Sequence, residues 1–338
     1  GGGGGGQWEG ISILLDLDGT CLPPPGTDPV TGKAVHPQLR DGPAWEPLVR
    51  FLDRGATVVG ITGSMLTTHS KRFWDDVPLE HRQHGKVLLA VEGGAVLYRS
   101  DETGQPKRCA LFDEMLSRHG VEKFSQEVID KLVAIGQRGI RTFYSALASD
   151  PSLQACISGF AFSNGATFVQ DSANNDASVT LDTEVFPRVE VRGELGSVVF
   201  VGVPTASVGG PGDHAFTIYQ DVFGVSENVQ GTRTGRLCFD CIPKGISKEL
   251  VLTFLLERGE ISKGWSVAIG DRPNGNDRGM TLLHPASAAD PPSIPFVSCS
   301  EDESQTPAHL QPFWVGGNCW GTARFLLALE AHLATLRG

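Results

Sequence analysis

An apolar run near the start of the chain ends in two carboxylates, and this feature constrains the fold more than any other. Residues 11–15 read ISILL, and Asp16, Asp18 and Gly19 follow. Side chains on a strand alternate between two faces, so Asp16 and Asp18 point the same way if the strand continues, whereas Gly19 favours a turn. Two like charges at the end of a buried strand repel each other unless a cation, a proton or water intervenes. The stretch therefore predicts a buried strand that ends at a polar site.

Strand and helix patterns alternate along the first part of the chain. Residues 45–54 carry apolar side chains at helical spacing, and residues 56–61 and 87–91 are short apolar runs typical of buried strands. Strand, helix and strand at this spacing predict a parallel sheet with crossover helices. The fold class that we expect is α/β, with a Rossmann-like parallel-sheet core.

The middle of the chain has a different pattern. Two helical stretches at 110–119 and 121–137 precede a polar run at 164–175. Several β-rich runs follow, namely ASVTLD, RVEVRGE, GSVVFVGVP and RLCFDCIP. RGELGS, between two of these runs, is typical of a hairpin turn. Strands grouped with flanking helices predict a separate α+β unit.

Alternating α/β character returns after this unit. The predicted elements are a helix at 248–257, strands at 265–269, 295–298 and 313–315, a long loop over 284–308 and a closing helix at 321–336. We therefore expect residues 7–95 and 243–338 to form the two parts of one core domain. Residues 96–242 would form an inserted α+β domain.

Composition excludes several classes of protein. The 338 residues are 40% apolar, and the net charge of −11 without a Lys/Arg-rich stretch argues against a nucleic-acid partner. The longest apolar runs are too short to cross a membrane, and no signal segment opens the chain, so we expect no membrane partner. The six leading glycines carry no helix or strand pattern.

Cysteine usage favours a reducing compartment such as the cytoplasm. Seven cysteines in a chain of this length do not resemble a disulfide framework. Cys238 and Cys241 form a lone CxxC without a second pair, which is weak support for a zinc or redox site. Ordinary buried thiols on a strand are the stronger interpretation.

Polar residues follow three of the predicted strands. Asp16 and Asp18 follow the first strand, Thr62 follows the second and Asp271 follows the strand at 265–269. The carboxyl ends of parallel strands meet at one edge of the sheet, where ligands bind. A few carboxylates with water and a phosphate suit Mg²⁺, and a hydroxyl before a helix suits a phosphate group. The pattern predicts a site for both.

Four motifs in order carry a family resemblance. DLDGT, GITGS, the lysine of GISKE and GDRPNGND resemble the motifs of the haloacid dehalogenase superfamily, whose larger caps are inserted between the second and third motifs. Lys244 and Lys248 both suit a charge-neutralising role by residue type. The resemblance of LCFDCIPKGISKE to the run before the third motif in phosphomannomutases favours Lys248.

The resemblance implies a role for each motif residue. Asp16 is implied as the nucleophile that forms an aspartyl-phosphate, and Asp18 as the acid and base. Thr62 and Lys248 are implied to hold the transferring oxygens. The implied Mg²⁺ ligands and supporting residues are Asp16, the Asp18 carbonyl and Asp271, with Asn276 and Asp277 beside them. In the cap, Arg192 and Asp240 are the implied substrate contacts, and residues 92–94 the hinge.

Within the superfamily the middle of the chain resembles phosphomannomutase and related sugar-phosphate phosphatases. Mutase caps carry several arginines for the distal phosphate, whereas this chain offers Arg192 between residues 190 and 211 and has Val203 and Pro204 where another arginine is expected. Arg233 and Arg236 follow in a glycine-rich turn. The expected activity is Mg²⁺-dependent hydrolysis of a small, sugar-like phosphate. The alternatives are a phosphomutase and a structural or regulatory subunit with little turnover. The oligomeric state is left open.

Overall fold

The computed structural model describes residues 7–24, 26–27, 34–149, 188–201, 221–234, 238–284 and 293–337. The chain divides into two compact units. The core unit comprises Gly1–Gly26, Val35–Arg118 and Ile246–Gly338, and the second unit comprises Thr27–Ala34 and His119–Gly245.

A seven-stranded sheet organises the core unit. Its strands, in sheet order, are β13 (Phe296–Ser298), β12 (Ser266–Gly270), β1 (Ser12–Asp16), β4 (Thr57–Ile61), β5 (Val87–Val91), β6 (Val96–Ser100) and β7 (Pro106–Arg108). The first five run parallel, and β6 and β7 are antiparallel to their neighbours. Two further short strands, β2 (Gly26–Thr27) and β3 (Ala34–Val35), pair with each other.

Continuous apolar sequence explains the central strands. Every residue of β1, β5 and β12 is buried, as expected for parallel strands that are covered on both faces. The helix Trp45–Asp53 buries Leu48 and Phe51, and the helix Lys248–Glu257 buries Val251 and Leu255. The other helices of this unit are Leu66–His69, which continues as a π-helix over Ser70–Trp74, Leu79–Gln83, Ala110–Arg118, Arg278–Thr281 and Asn318–Arg337.

The second unit contains a four-stranded antiparallel sheet in the order β10-β11-β9-β8. These strands are β8 (Arg188–Arg192), β9 (Ser197–Val201), β10 (Val229–Thr234) and β11 (Cys238–Pro243). The helix Gln126–Ser149 precedes them. Leu132 of this helix belongs to one buried apolar cluster with Phe200 and Phe239 of the sheet. The unit therefore has a core of its own.

The boundary between the units differs from the expected one after residue 95. β6 pairs with β5 through a tight turn, and β7 pairs with β6, so both strands and the helix Ala110–Arg118 lie in the core unit. Glu92, Gly93 and Gly94 have φ angles of 55°, 74° and 94° in this turn. The expected hinge at 92–94 is therefore a hairpin turn within one sheet.

Two predicted elements differ in detail. The strand expected at 313–315 is a single bridge from Trp314 to Ser298, because a 3₁₀ helix over Ala308–Phe313, with Pro312 inside it, takes up the preceding residues. The helix expected at 121–137 is Gln126–Ser149. Residues 164–175, 177–182, 203–204, 236 and 285–292 lie outside the described residues.

Two observations concern the cysteines and the helices. Cys238 and Cys241 are free thiols on β11, and their separation of three residues directs them to opposite faces of the strand. Across the described residues, no helix combines the length and the apolar character that a membrane span needs.

Candidate active site

Three neighbouring parallel strands deliver the predicted polar residues to one edge of the core sheet. β1 lies between β12 and β4. Asp16 is the last residue of β1, Thr62 follows β4 directly, and Asp271 follows β12 directly. The register pairs Asp16 with Ile61 and Leu15 with Ile269, which sets these strand ends side by side. Asp16 is buried, with 3% of its surface exposed.

Lys248 lies at the first position of its helix and is buried against this edge. Its Nζ donates to Asp16 Oδ1, to Asp277 Oδ1 at 2.6 Å and to the carbonyl of Ile61 at 3.2 Å. Three acceptors match the three N–H donors of an ammonium group. Burial alone would lower the pKa of Lys248, but the charges of Asp16 and Asp277 outweigh it and raise that pKa. Lys248 is therefore a fixed, charged group.

Asp277 holds Lys248 from the loop after β12. Its Oδ1 accepts from Lys248, and its Oδ2 accepts from the backbone N–H of Arg272 at 2.9 Å. The side chain is fully buried. The structure thus brings Asp277 to the lysine. Asn276 lies next to it, half-buried, and its Oδ1 has no hydrogen-bond partner among the described residues.

Asp18 faces a different set of partners from Asp16. His69 Nε2 lies 2.9 Å from Asp18 Oδ2, and Arg72 Nη1 lies 2.8 Å from Asp18 Oδ1. Burial would raise the pKa of Asp18, but the hydrogen bond from His69 and the charge of Arg72 outweigh it and lower that pKa to about 2. Asp18 is therefore held as an anion, with half of its side chain exposed.

Three residues of the site were missed by the sequence analysis. Thr20, the last residue of the first motif, donates from Oγ1 to Asp16 Oδ2 at 3.2 Å. His69 and Arg72 lie on the helical segment after the second motif, three residues apart and hence on one face. That spacing, beginning seven residues after Thr62, is the signal that could have identified them.

Three carboxylates of the site lie close enough to share a cation. One oxygen each from Asp16, Asp271 and Asp277 lies within 4.8 Å of the others. If all three carboxylates were ionised beside the charged Lys248, the four groups would carry a net charge of −2 in a largely buried place. Burial and then the charge of Asp277 raise the pKa of Asp271 to about 7 and that of Asp16 well above its usual range. A divalent cation would offset the repulsion between the buried carboxylates, and an all-oxygen donor set suits Mg²⁺.

Gly19 allows the first motif to lie against Asp271. Its φ is +81°, and a Cβ at this position would lie 2.6 Å from Asp271 Oδ2. Any other residue would combine a strained backbone with a steric clash. The turn that Gly19 predicted thus closes directly over the carboxylate cluster.

The two residues expected to contact substrate from the inserted domain lie on the sheet of the second unit. Arg192 ends β8 and pairs with Glu190 on the same strand. Asp240 is buried on β11, opposite Val199 of β9 and Thr232 of β10. Their environment is thus defined within that unit alone.

Comparisons with known proteins identify the fold. No family model matches the chain, and no curated protein matches it. The IMP-nucleotidase of Plasmodium falciparum, bound to IMP, is 11% identical with a TM-score of 0.50, and the match covers 96% of this chain and 68% of that one. The sucrose-phosphatase of Synechocystis, in complex with sucrose and phosphate, is 14% identical with a TM-score of 0.50, covering 96% and 98%. The haloacid dehalogenase-like hydrolase YhjK of Bacillus subtilis is 14% identical with a TM-score of 0.46, covering 96% and 93%.

The comparisons show which fold the chain has. The chain shares its fold with the two neighbours at a TM-score of 0.50, with a parallel-sheet core and a separate antiparallel sheet inserted in the sequence. The expected fold class is thereby confirmed. By their names, the two neighbours at a TM-score of 0.50 are a nucleotidase and a phosphatase, which agrees with the class of enzyme expected from the sequence.

Proposed function

We propose that the protein is a Mg²⁺-dependent phosphomonoester hydrolase that acts through an aspartyl-phosphate on Asp16. One observation carries this proposal. A buried carboxylate at a strand end is held by Lys248 and lies within 4.8 Å of two further carboxylates, so the site combines a nucleophile with a cation-binding cluster. The fold, which is that of known phosphatases, supports the same conclusion.

Asp16 is the proposed nucleophile. An Asp16 oxygen would form a bond to phosphorus while the bond from phosphorus to the ester oxygen breaks. Thr20 and Lys248 fix the two Asp16 oxygens by hydrogen bonds, which limits the rotation of the carboxylate. A carboxylate already oriented toward the phosphorus loses little entropy when it attacks.

Asp18 is the proposed acid and base. In the first half of the reaction the departing alkoxide needs a proton. Because Asp18 is ionised in the free protein, the proton would come to it from the monoanionic form of the substrate. In the second half Asp18 would take a proton from water, and the water oxygen would displace Asp16 from phosphorus. The ionised form of Asp18 is the one that starts this second half.

The remaining motif residues would stabilise the charge on the transferring group. Thr62 and Lys248 would donate hydrogen bonds to its oxygens. Asp16, Asp271 and the Asp18 carbonyl would hold Mg²⁺, which supplies positive charge against the phosphate when bound. Asp277 would keep Lys248 oriented, as its contact in the free protein does, and Asn276 would support this loop.

The proposed substrate is a small phosphorylated metabolite, with a sugar-like phosphate as the first choice. The names of the neighbours add nucleoside monophosphates to the candidates. Arg192 and Asp240 are proposed as substrate contacts because of their resemblance to cap residues. Arg233 belongs to β10, its side chain lies outside what the structure describes, and no role is proposed for it.

A phosphate-release screen tests the proposal. The purified chain is incubated with a panel of sugar phosphates and nucleoside 5′-monophosphates, with Mg²⁺ or with EDTA, and free phosphate is measured. We expect release from at least one substrate, with Mg²⁺ only. Mannose 1-phosphate and glucose 1-phosphate are also tested with a hexose bisphosphate. Accumulation of a 6-phosphate isomer would favour a phosphomutase, and no product from any substrate would favour a regulatory subunit.

A further inference from the structure

His69 lies at the site although it belongs to none of the four motifs. Its ring is fully buried, and its Nε2 lies 2.9 Å from Asp18 Oδ2 and 3.1 Å from Thr62 Oγ1. A single nitrogen thus contacts both the proposed acid/base and the proposed phosphate-binding hydroxyl. These two residues follow different strands, and among the described residues His69 is the side chain that contacts both.

The contacts of the ring assign the position of its proton. Arg72 donates to Asp18 Oδ1, and the second carboxylate oxygen, Oδ2, likewise accepts a hydrogen bond, so the 2.9 Å contact with Asp18 Oδ2 places an N–H on Nε2. Nδ1 is buried and has no hydrogen-bond partner among the described residues. A buried N–H without a partner is rarer than a buried acceptor without one. We therefore assign the tautomer that carries its proton on Nε2.

This tautomer determines what the Thr62 hydroxyl can do. Thr62 Oγ1 accepts from the backbone N–H of Ser64 at 3.1 Å and faces the N–H of His69. Both contacts use lone pairs of the oxygen, so the hydroxyl proton remains available to donate. A phosphoryl oxygen at the strand ends is the acceptor that the proposed reaction supplies.

Arg72, on the same face of the helical segment as His69, also binds Asp18. Its Nη1 donates to Asp18 Oδ1 at 2.8 Å, and its Nε donates to the carbonyl of Pro37 at 3.1 Å. Each oxygen of Asp18 is therefore held by a different side chain. The guanidinium of Arg72 thus binds Asp18 and Pro37. His69 is the side chain that connects Asp18 with Thr62.

We propose that His69 is a positioning residue whose Nε2–H fixes the Asp18 carboxylate and the Thr62 hydroxyl relative to each other. This inference rests on the proposed function for the roles of Asp18 and Thr62. The contribution of His69 would be to the chemical step and not to substrate affinity, because both groups act on atoms that change charge during the reaction.

Two substitutions separate this role from simple packing. The amide nitrogen of glutamine can occupy the place of Nε2, whereas that of asparagine reaches only the place of Nδ1. We expect His69→Asn to lower kcat about 100-fold with little change in KM, and His69→Gln to recover kcat to within about fivefold of wild type. His81→Asn is the matched control, because His81 is also buried and also lies 2.9 Å from a carboxylate, that of Asp53. It should leave kcat unchanged.

Thermal melting of all three variants reports the loss of packing. Equal losses of kcat in His69→Asn and His69→Gln would overturn the inference, and so would wild-type kcat in both.

A second measurement does not require catalytic activity. In ¹⁵N-histidine NMR spectra of the wild-type chain, His69 should be protonated at Nε2, and its signal should shift in Asp18→Asn and in Thr62→Val. Protonation at Nδ1 and not at Nε2 would overturn the inference even if no substrate is found, whereas the absence of any phosphatase activity would contradict only the proposed function.

Discussion

At the scale of single residues, charge balance governs the candidate site. Lys248 is buried with Asp16, Asp271 and Asp277, and its ammonium is the positive charge among these four groups. Removing one member of a buried ionic cluster leaves the opposite charge uncompensated, which costs more than the loss of an exposed ion pair. The stability of the site therefore depends on the number of charges as well as on their positions.

Substitution of Lys248 tests this balance. Lys248→Met should lower the free energy of unfolding by about 3 kcal/mol, because the remaining carboxylates lose their buried partner. Lys248→Met/Asp277→Asn should regain part of that loss, since one uncompensated charge is removed as well. Both variants should lack phosphatase activity. Denaturant unfolding in EDTA measures the effect, and a Lys248→Met protein as stable as wild type would contradict it.

At the scale of elements, the site depends on how the loops leave three parallel strands. The apolar runs predicted β1, β4, β5 and β12 well. The loops that converge could also be predicted, because the carboxyl ends of parallel strands meet at one edge of a sheet. The hairpin between β5 and β6 was not predicted. Its glycines permit either a hinge or a tight turn, and only the pairing of β6 with β5 decides between them.

The same limit explains why His69 and Arg72 were missed. Their spacing places them on one face of a helical segment, but the sequence contains no sign that this face lies over Asp18. That contact depends on packing between segments distant in the chain. Asp277 and Lys248, by contrast, were identified through their motifs, and the structure adds that they contact each other.

The loop after β1 gives a prediction at this scale. Gly19→Ala should lower kcat at least tenfold and weaken the binding of Mg²⁺, because the added Cβ would displace Asp271. Gly85→Ala is the control, since Gly85 also has a positive φ, of +68°, but no atom within 4 Å of an added Cβ. Both variants should lose about 1 kcal/mol of stability from backbone strain. Equal kcat values in the two variants, measured at saturating Mg²⁺, would exclude the proposed contact.

At the scale of the whole molecule, the carboxylate cluster should couple stability to pH and, as the proposed metal site, to Mg²⁺. The pKa of Asp271 is raised to about 7, mainly by burial and then by the charge of Asp277. A carboxyl group whose pKa is raised by folding destabilises the folded state once it ionises. Without metal, the free energy of unfolding should therefore fall as the pH rises from about 4 to about 7.

Melting temperatures with EDTA or with Mg²⁺ measure this coupling. Protons and Mg²⁺ compete for the same carboxylates, so Mg²⁺ should raise Tm more at about pH 8 than at about pH 5.5. Asp271→Asn should reduce both the pH dependence and the gain from Mg²⁺. A gain in Tm that is the same at both pH values in the wild-type protein would show that this cluster is not the binding site.

The central claim is that Asp16 carries the phosphoryl group, and a trapped intermediate tests it most directly. The wild-type chain and Asp16→Asn are mixed with Mg²⁺ and the best substrate of the screen, quenched in acid within one turnover, digested and analysed by mass spectrometry. We expect one acid-stable acyl-phosphate, on Asp16 in the peptide that contains DLDGT, and none in a correctly folded Asp16→Asn protein. A phosphoryl group on another residue, or full turnover by a correctly folded Asp16→Asn protein, would contradict it.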